Sequence, residues 1–110
     1  MIASWRIEFF NAQVLRRLNA WPVGLRAGFV RVSEKIAAHG PDLGLPHTRA
    51  LGSGVFEIRV QGREGIGRAL FCILRERRIL VLSVFVKKTE QIPQHELGIA
   101  RMRLREIARS

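Results

Sequence analysis

Trp5-Arg6-Ile7-Glu8-Phe9 alternates apolar and charged residues, the period of a strand with one face on a core, and predicts a first strand over residues 4–10. Asn11 is placed to cap a short helix over 12–20, with Val14, Leu15 and Leu18 on its buried side. Pro22 suits the first turn of a second helix, where a missing N–H costs no intrahelical bond. Along that helix Leu25, Phe29, Val32 and Ile36 form one apolar stripe at helical spacing, and Gly40-Pro41 ends it. The two helices form a hairpin that packs across a sheet.

Residues 42–47 are turn-like, and β-type residues then dominate. Residues 48–51, a Gly52-Ser53-Gly54 bend or bulge, and residues 55–60 make the next β segment. Residues 61–67 read as a mobile loop leading to a strand over 68–75. The turn Glu76-Arg77-Arg78 leads to a last strand over 79–86. Both of these strands are apolar at consecutive positions, which places them centrally with both faces covered. Two hairpins imply an antiparallel meander. Pro93 opens a final helix running to Arg109, with Leu97, Ala100, Leu104 and Ile107 on one side and Arg101, Arg105 and Arg109 on another. The predicted order is β-α-α-β-β-β-α: an α+β fold whose twisted sheet carries helices mainly on one face.

Composition narrows the function classes. A chain of 110 residues, 47% hydrophobic and 25% charged, fits one globular domain over 1–110 and not a disordered basic tail. Nineteen Lys and Arg stand against nine Asp and Glu, for a net charge of +10. Such a domain favours phosphate-bearing partners, because each neutralised phosphate releases condensed counterions. Nucleic acid or a ribosomal surface therefore leads over an anionic membrane, since no segment joins a broad apolar face to clustered Lys. Cys72 is the only cysteine, which excludes an internal disulfide or a Cys-rich zinc site. The longest apolar run, residues 79–86, is far shorter than the ~20 residues of a membrane span, and residues 1–10 lack the pattern of a secretory signal. A cytoplasmic protein is expected.

Strand alternation puts Val55, Glu57 and Arg59 on one face and Phe56, Ile58 and Val60 on the core side, so Glu57 and Arg59 face outward or into a cleft. With Arg68 opening the next strand and Lys87-Lys88 closing the last, four cations can converge on one rim of the sheet as an anion site. Metal-free RNA cleavage needs positive charge at phosphorus and groups to move protons, for which Lys87, Lys88, His95 and Glu57 are candidates. Equally, Arg59 and Arg68 can be cross-strand partners of Glu57 and Glu64, and Lys87-Lys88 can simply protect a strand end. Arg63, Arg77, Arg78, Arg101 and Arg105 are further candidates for contacting RNA, although Arg77-Arg78 also fits a solvated hairpin tip and the α-helical arginine row an exposed face. His39, His47 and His95 have no ligand spacing, so no metal is expected. Cys72 reads as inert core, and Trp5, Trp21 and Phe85 as core rather than stacking platforms.

The succession Thr48-Arg49-Ala50-Leu51-Gly52-Ser53-Gly54-Val55-Phe56-Glu57-Ile58-Arg59, then Arg68-Ala69-Leu70-Phe71, then Val84-Phe85-Val86-Lys87-Lys88-Thr89 with Pro93 and Glu96 beyond, resembles the RelE/ParE toxin superfamily, and most nearly its HigB-type, phage-derived group. The resemblance runs from about Trp5 to the end. It implies a RelE-like fold and the toxin of a type II toxin–antitoxin pair, a ribosome-dependent, metal-independent mRNA endoribonuclease without a cofactor. The implied partners are a helix-turn-helix antitoxin, the ribosome with its mRNA, and operator DNA only through the antitoxin, with no membrane. On this resemblance Arg59, Arg68, Lys87 and Lys88 occupy the family's functional positions. Some relatives place a catalytic tyrosine near the C-terminus; this chain has none, and His95 is the candidate substitute. A non-catalytic RNA- or protein-binding module of the same fold and a gyrase-directed toxin are the alternatives.

Overall fold

In the computed structural model, which describes residues 4–109, the chain runs β1 (Arg6–Phe9), α1 (Ala12–Asn19), α2 (Val23–His39), β2 (Thr48–Gly52), β3 (Val55–Gly62), β4 (Gly65–Leu74), β5 (Arg78–Lys87) and α3 (Gln94–Ala108). The α+β architecture is the expected one. Asn11 caps α1, its side-chain oxygen accepting the Val14 N–H at 2.9 Å. Val14 and Leu18 are buried as the spacing requires, but Leu15 is 40% exposed, because this short helix meets the sheet along a stripe too narrow to include it. Leu25, Phe29, Val32 and Ile36 of α2 are all buried.

Four strands follow the helical hairpin, one more than expected. The Gly52-Ser53-Gly54 bend is a chain reversal, with all three residues at positive φ (96°, 56° and 84°). It folds β2 back on β3 with Thr48 opposite Ile58 and Arg49 opposite Glu57, and a register shift between Ala50 and Gly52 adds a bulge beside the turn. The segment 61–67 is not a mobile loop either. Gln61 pairs with Ile66 and Gly62 with Gly65, leaving only Arg63-Glu64 at the tip. Its glycines serve close packing as well: a Cβ on Gly67 would lie 2.6 Å from the Trp21 ring.

The sheet order is β1-β5-β4-β3-β2. It is mixed where a wholly antiparallel sheet was expected, because β1 runs parallel to β5, with Arg6 opposite Arg78 and Phe9 opposite Val81. The two helices after β1 carry the chain across the sheet before β2 begins, and this crossover frees β1 to join the far edge. Helices cover both faces. On one, α1 and α2 pack over Ile58, Val60, Ala69, Phe71 and Val81. On the other, Leu97, Ala100, Leu104 and Ile107 of α3 pack over Val55, Leu70, Cys72, Leu82 and Phe85. This two-sided cover explains the unbroken apolar runs of β4 and β5, and it leaves the α3 face only partly filled toward the β3–β4 turn.

α2 approaches the sheet closely enough that a Cβ on Gly28 would stand 2.2 Å from Val60 Cγ1. Gly28→Ala is therefore expected to lower stability by about 1–3 kcal/mol through overpacking, despite the better helix propensity of alanine. Urea denaturation measures it, and Val60→Ala in the same chain should recover part of the loss.

Candidate functional site

On the α3 side of the sheet, the pleat turns Glu57, Arg59 and Arg68 to one face. Arg49 lies directly opposite Glu57 across β2 and β3, and Arg59 lies opposite Arg68 across β3 and β4. Glu57 is the centre of this group and is completely buried, where alternation alone had it facing outward or into a cleft. Its Oε1 accepts the Arg49 Nε–H at 2.6 Å and stands 3.6 Å from Arg59 Nε, while its Oε2 stands 3.6 Å from Arg68 Nε. An isolated carboxylate cannot stay charged at such a depth, so three guanidinium groups surround this one.

Arg68 is itself fully buried. Loss of hydration pushes its guanidinium below the ordinary arginine range; Glu57 pulls it back up, and Arg59 and Arg49 push it down again. From above, the segment between β5 and α3 supplies acceptors: Arg68 Nη2 donates to the carbonyls of Thr89, at 3.3 Å, and Glu90. The Glu90 carboxylate pairs with Arg59 and lies 3.6 Å from Arg68 Nη2. Three arginines thus face two carboxylates. Arg68 Nη1 is enclosed, with no hydrogen-bond partner among the described residues. The expected partnership with Glu57 is present, but the second carboxylate is Glu90 and not Glu64.

Lys87 lies two residues beyond Phe85, the register partner of Arg68, and so stands diagonal to Arg68 on the same face. It is exposed and borders an open pocket of about 330 Å³ with Arg17, Trp21, Phe85 and Glu96. Trp21 and Phe85 themselves are core, as expected. Lys88 and His95 are exposed and make no hydrogen bond to the arginine cluster, His95 being in the first turn of α3. Arg63 is at the β3–β4 tip, at the same end of the sheet as Lys87. Arg77 and Arg78 are at the opposite end, six residues along β4 from Arg68 or roughly 20 Å. There Arg78 pairs with Glu8 at 3.3 Å. Arg101 is half-buried on α3 and Arg105 exposed one turn later.

Three participants escaped the sequence reading. Arg49 and Glu90 carry no signal of their own, since each becomes a partner only through cross-strand register or loop closure. Arg103 anchors α3, donating to the Leu82 carbonyl at 2.5 Å with its guanidinium 5.0 Å from the Phe10 ring centre. Glu96 secures the start of the same helix, accepting from Ser83 Oγ at 3.2 Å. Cys72 is buried core, and burial pushes its thiol up, away from nucleophilic use.

The mixed five-stranded sheet, with a helical hairpin on one face and a C-terminal helix on the other, is similar to the fold of solved RelE toxins. The chain covers 92% of its own length and 98% of the other in matching a free-state mutant of the E. coli toxin RelE, at 12% identity and a TM-score of 0.59. It matches a chain of the RelBE2 toxin–antitoxin complex from Mycobacterium tuberculosis at 20% identity and TM-score 0.54, over 81% and 98% of the two chains. With an archaeal RelE–RelB complex from Pyrococcus horikoshii OT3 the values are 12% and 0.56, over 80% and 99%. No curated protein sequence matches the chain. The family model described as "Phage derived protein Gp49-like (DUF891)" matches residues 16–105, and the chain belongs to that family.

Replacing Glu57 by Leu removes the buried countercharge of Arg68 and Arg59, with an expected loss of about 3–5 kcal/mol. Arg49→Ala, which removes a side chain 39% exposed, should cost no more than about 1–2 kcal/mol. Paired denaturant titrations separate the two values.

Proposed function

We propose that this chain is a HigB-type toxin of a type II toxin–antitoxin pair, and that it cleaves ribosome-bound mRNA without a metal. The observation that carries the reading is the pair of guanidinium groups, Arg59 and Arg68, fixed side by side over buried Glu57 with Lys87 diagonal to them, in a chain with the RelE fold. A phosphodiester entering this site takes the place of the Glu90 carboxylate between the two arginines. The 2′-hydroxyl then attacks phosphorus, the bond to the 5′-oxygen breaks, and a cyclic phosphate and a 5′-hydroxyl result. Arg59 and Arg68 stabilise the charge that grows on the phosphoryl oxygens, an effect strongest where water is excluded. Lys87, Lys88 and His95 are the groups available to receive the 2′-proton and return one to the leaving oxygen. Arg63 at the near tip and Arg101 and Arg105 on α3 extend the basic surface for RNA, while Arg77 and Arg78 contact only a strand reaching the far end. The partner that holds the toxin inactive in the cytoplasm is a helix-turn-helix antitoxin, through which operator DNA is bound.

The occupation of both arginines by Glu90, in a chain without tyrosine, favours a second reading: an RNA-binding module of the same fold that cuts nothing.

Inducible expression followed by mapping of mRNA ends on translating ribosomes decides between them. The nuclease reading expects cuts within open reading frames, reduced at least 100-fold in an Arg59→Ala, Lys87→Ala double variant. Cuts at the wild-type rate in that variant would remove these residues from the site, and no cuts from the folded wild type would leave the binding module. Under both readings Glu90→Gln is expected to raise affinity for RNA roughly fivefold, equivalent to about 1 kcal/mol of released competition. Under the nuclease reading alone it also speeds cleavage at limiting RNA.

A further inference from the structure

A second cationic pocket, of about 240 Å³, opens between α2, the residues before β2 and the edge of β3. Arg31 and Lys35 stand one turn apart on α2, His47 faces them from the loop, and the Arg59–Gln61 segment closes the wall. Among the described residues, no carboxylate lines this pocket. That separates it from the Arg59–Arg68 cluster, where Glu57 and Glu90 compensate most of the charge. Like charges four residues apart on a helix repel each other, and here nothing in the wall relieves them.

The donors are arranged for an anion. Lys35 Nζ lies 3.3 Å from His47 Nε2, which brings the ammonium and the imidazole together on one wall of the pocket. Arg31 Nη2 lies 3.6 Å from where a Cβ on Gly28 would be, so the side chain folds back along α2 over β3. The strand edge adds backbone. β2 extends only to Thr48, opposite Ile58, and the Arg59 N–H donates to the His47 carbonyl at 2.8 Å. Two residues on, the Gln61 N–H points to the same side, past the end of β2.

We propose that this pocket binds a backbone phosphate of single-stranded RNA, a second one beyond that held at Arg68, so that the strand runs across the β3 edge from one cationic group to the other. This rests on the RNA-binding reading above but not on cleavage. Arg31 and Lys35 supply the charge, and Gln61 N–H a fixed donor. Phosphate entry draws Lys35 Nζ off the His47 ring and takes the place of that contact.

The test uses a fluorescent 2′-O-methyl RNA decamer, which lacks the attacking hydroxyl and cannot be cut, in anisotropy titrations at several salt concentrations. An Arg31→Gln, Lys35→Gln variant is expected to bind about tenfold more weakly, with a salt slope shallower by about 0.7 for the lost phosphate contact. The control, Arg6→Gln with Arg75→Gln, removes the same charge from exposed positions at the far end of the sheet and should change affinity less than twofold. Equal losses in the two variants, or no measurable binding by the wild type, would overturn the subsite. Tight binding that depends on Arg31 and Lys35 by a chain that cuts no mRNA would end the nuclease reading and leave the subsite standing. Cutting retained, with the Arg31/Lys35 variant binding like the control, would do the reverse.

Discussion

Burying Glu57 and Arg68 together is the constraint around which this molecule is arranged. Each alone would be prohibitively costly in the interior, and as a pair they recover only part of their lost hydration. The remainder comes from register: Arg49 must lie opposite Glu57, Arg59 must lie beside it, and the β5–α3 segment must close over Arg68 with its carbonyls. A slip of one residue in either hairpin would turn these side chains into the apolar layer beneath α2. The pair therefore specifies strand alignment more than it adds stability, and in doing so it sets the two guanidinium groups at a fixed separation.

The same arrangement divides the charge of the molecule into two kinds. In the α3-side cluster, cations are held in place by carboxylates and are presented to a ligand only by exchange of one carboxylate for another anion. At the α2–β3 edge, cations stand without internal compensation. One cationic group is thus open and the other is closed by Glu90, and the Arg59 segment belongs to both.

Much of the fold was legible because periodicity is a one-dimensional record of burial. The stripe of α2, the Asn11 cap and the continuous apolar runs of β4 and β5 each correspond to a local physical requirement. What was not legible depended on partners distant in sequence. The reversal at Gly52-Ser53-Gly54 and a bulge there use the same glycines, and only pairing distinguishes them. The loop expected over 61–67 is a tight hairpin because Gly67 permits Trp21 to press on β4, a contact that no local pattern encodes. The parallel placement of β1 follows from the path of two helices rather than from its own residues. In the candidate site, the shared face of Arg59, Arg68 and Lys87 was legible from alternation and strand ends, whereas the burial of Glu57 was not. A carboxylate between two arginines looks solvated until three strands enclose it.

The parallel seating of β1 beside β5 also orders events in time. Its hydrogen-bonding partner lies some seventy positions later in the chain, Glu8 meeting Arg78 across that interval, so β1 is made well before its neighbour and is among the last strands that can find its place. Until β5 exists, the helical hairpin has no completed sheet to lie on, and the arginine cluster, which also needs β4 and the segment after β5, does not form. Such long-range closure slows folding. The arginine cluster is therefore complete only once β4, β5 and the segment that closes over Arg68 have all been made.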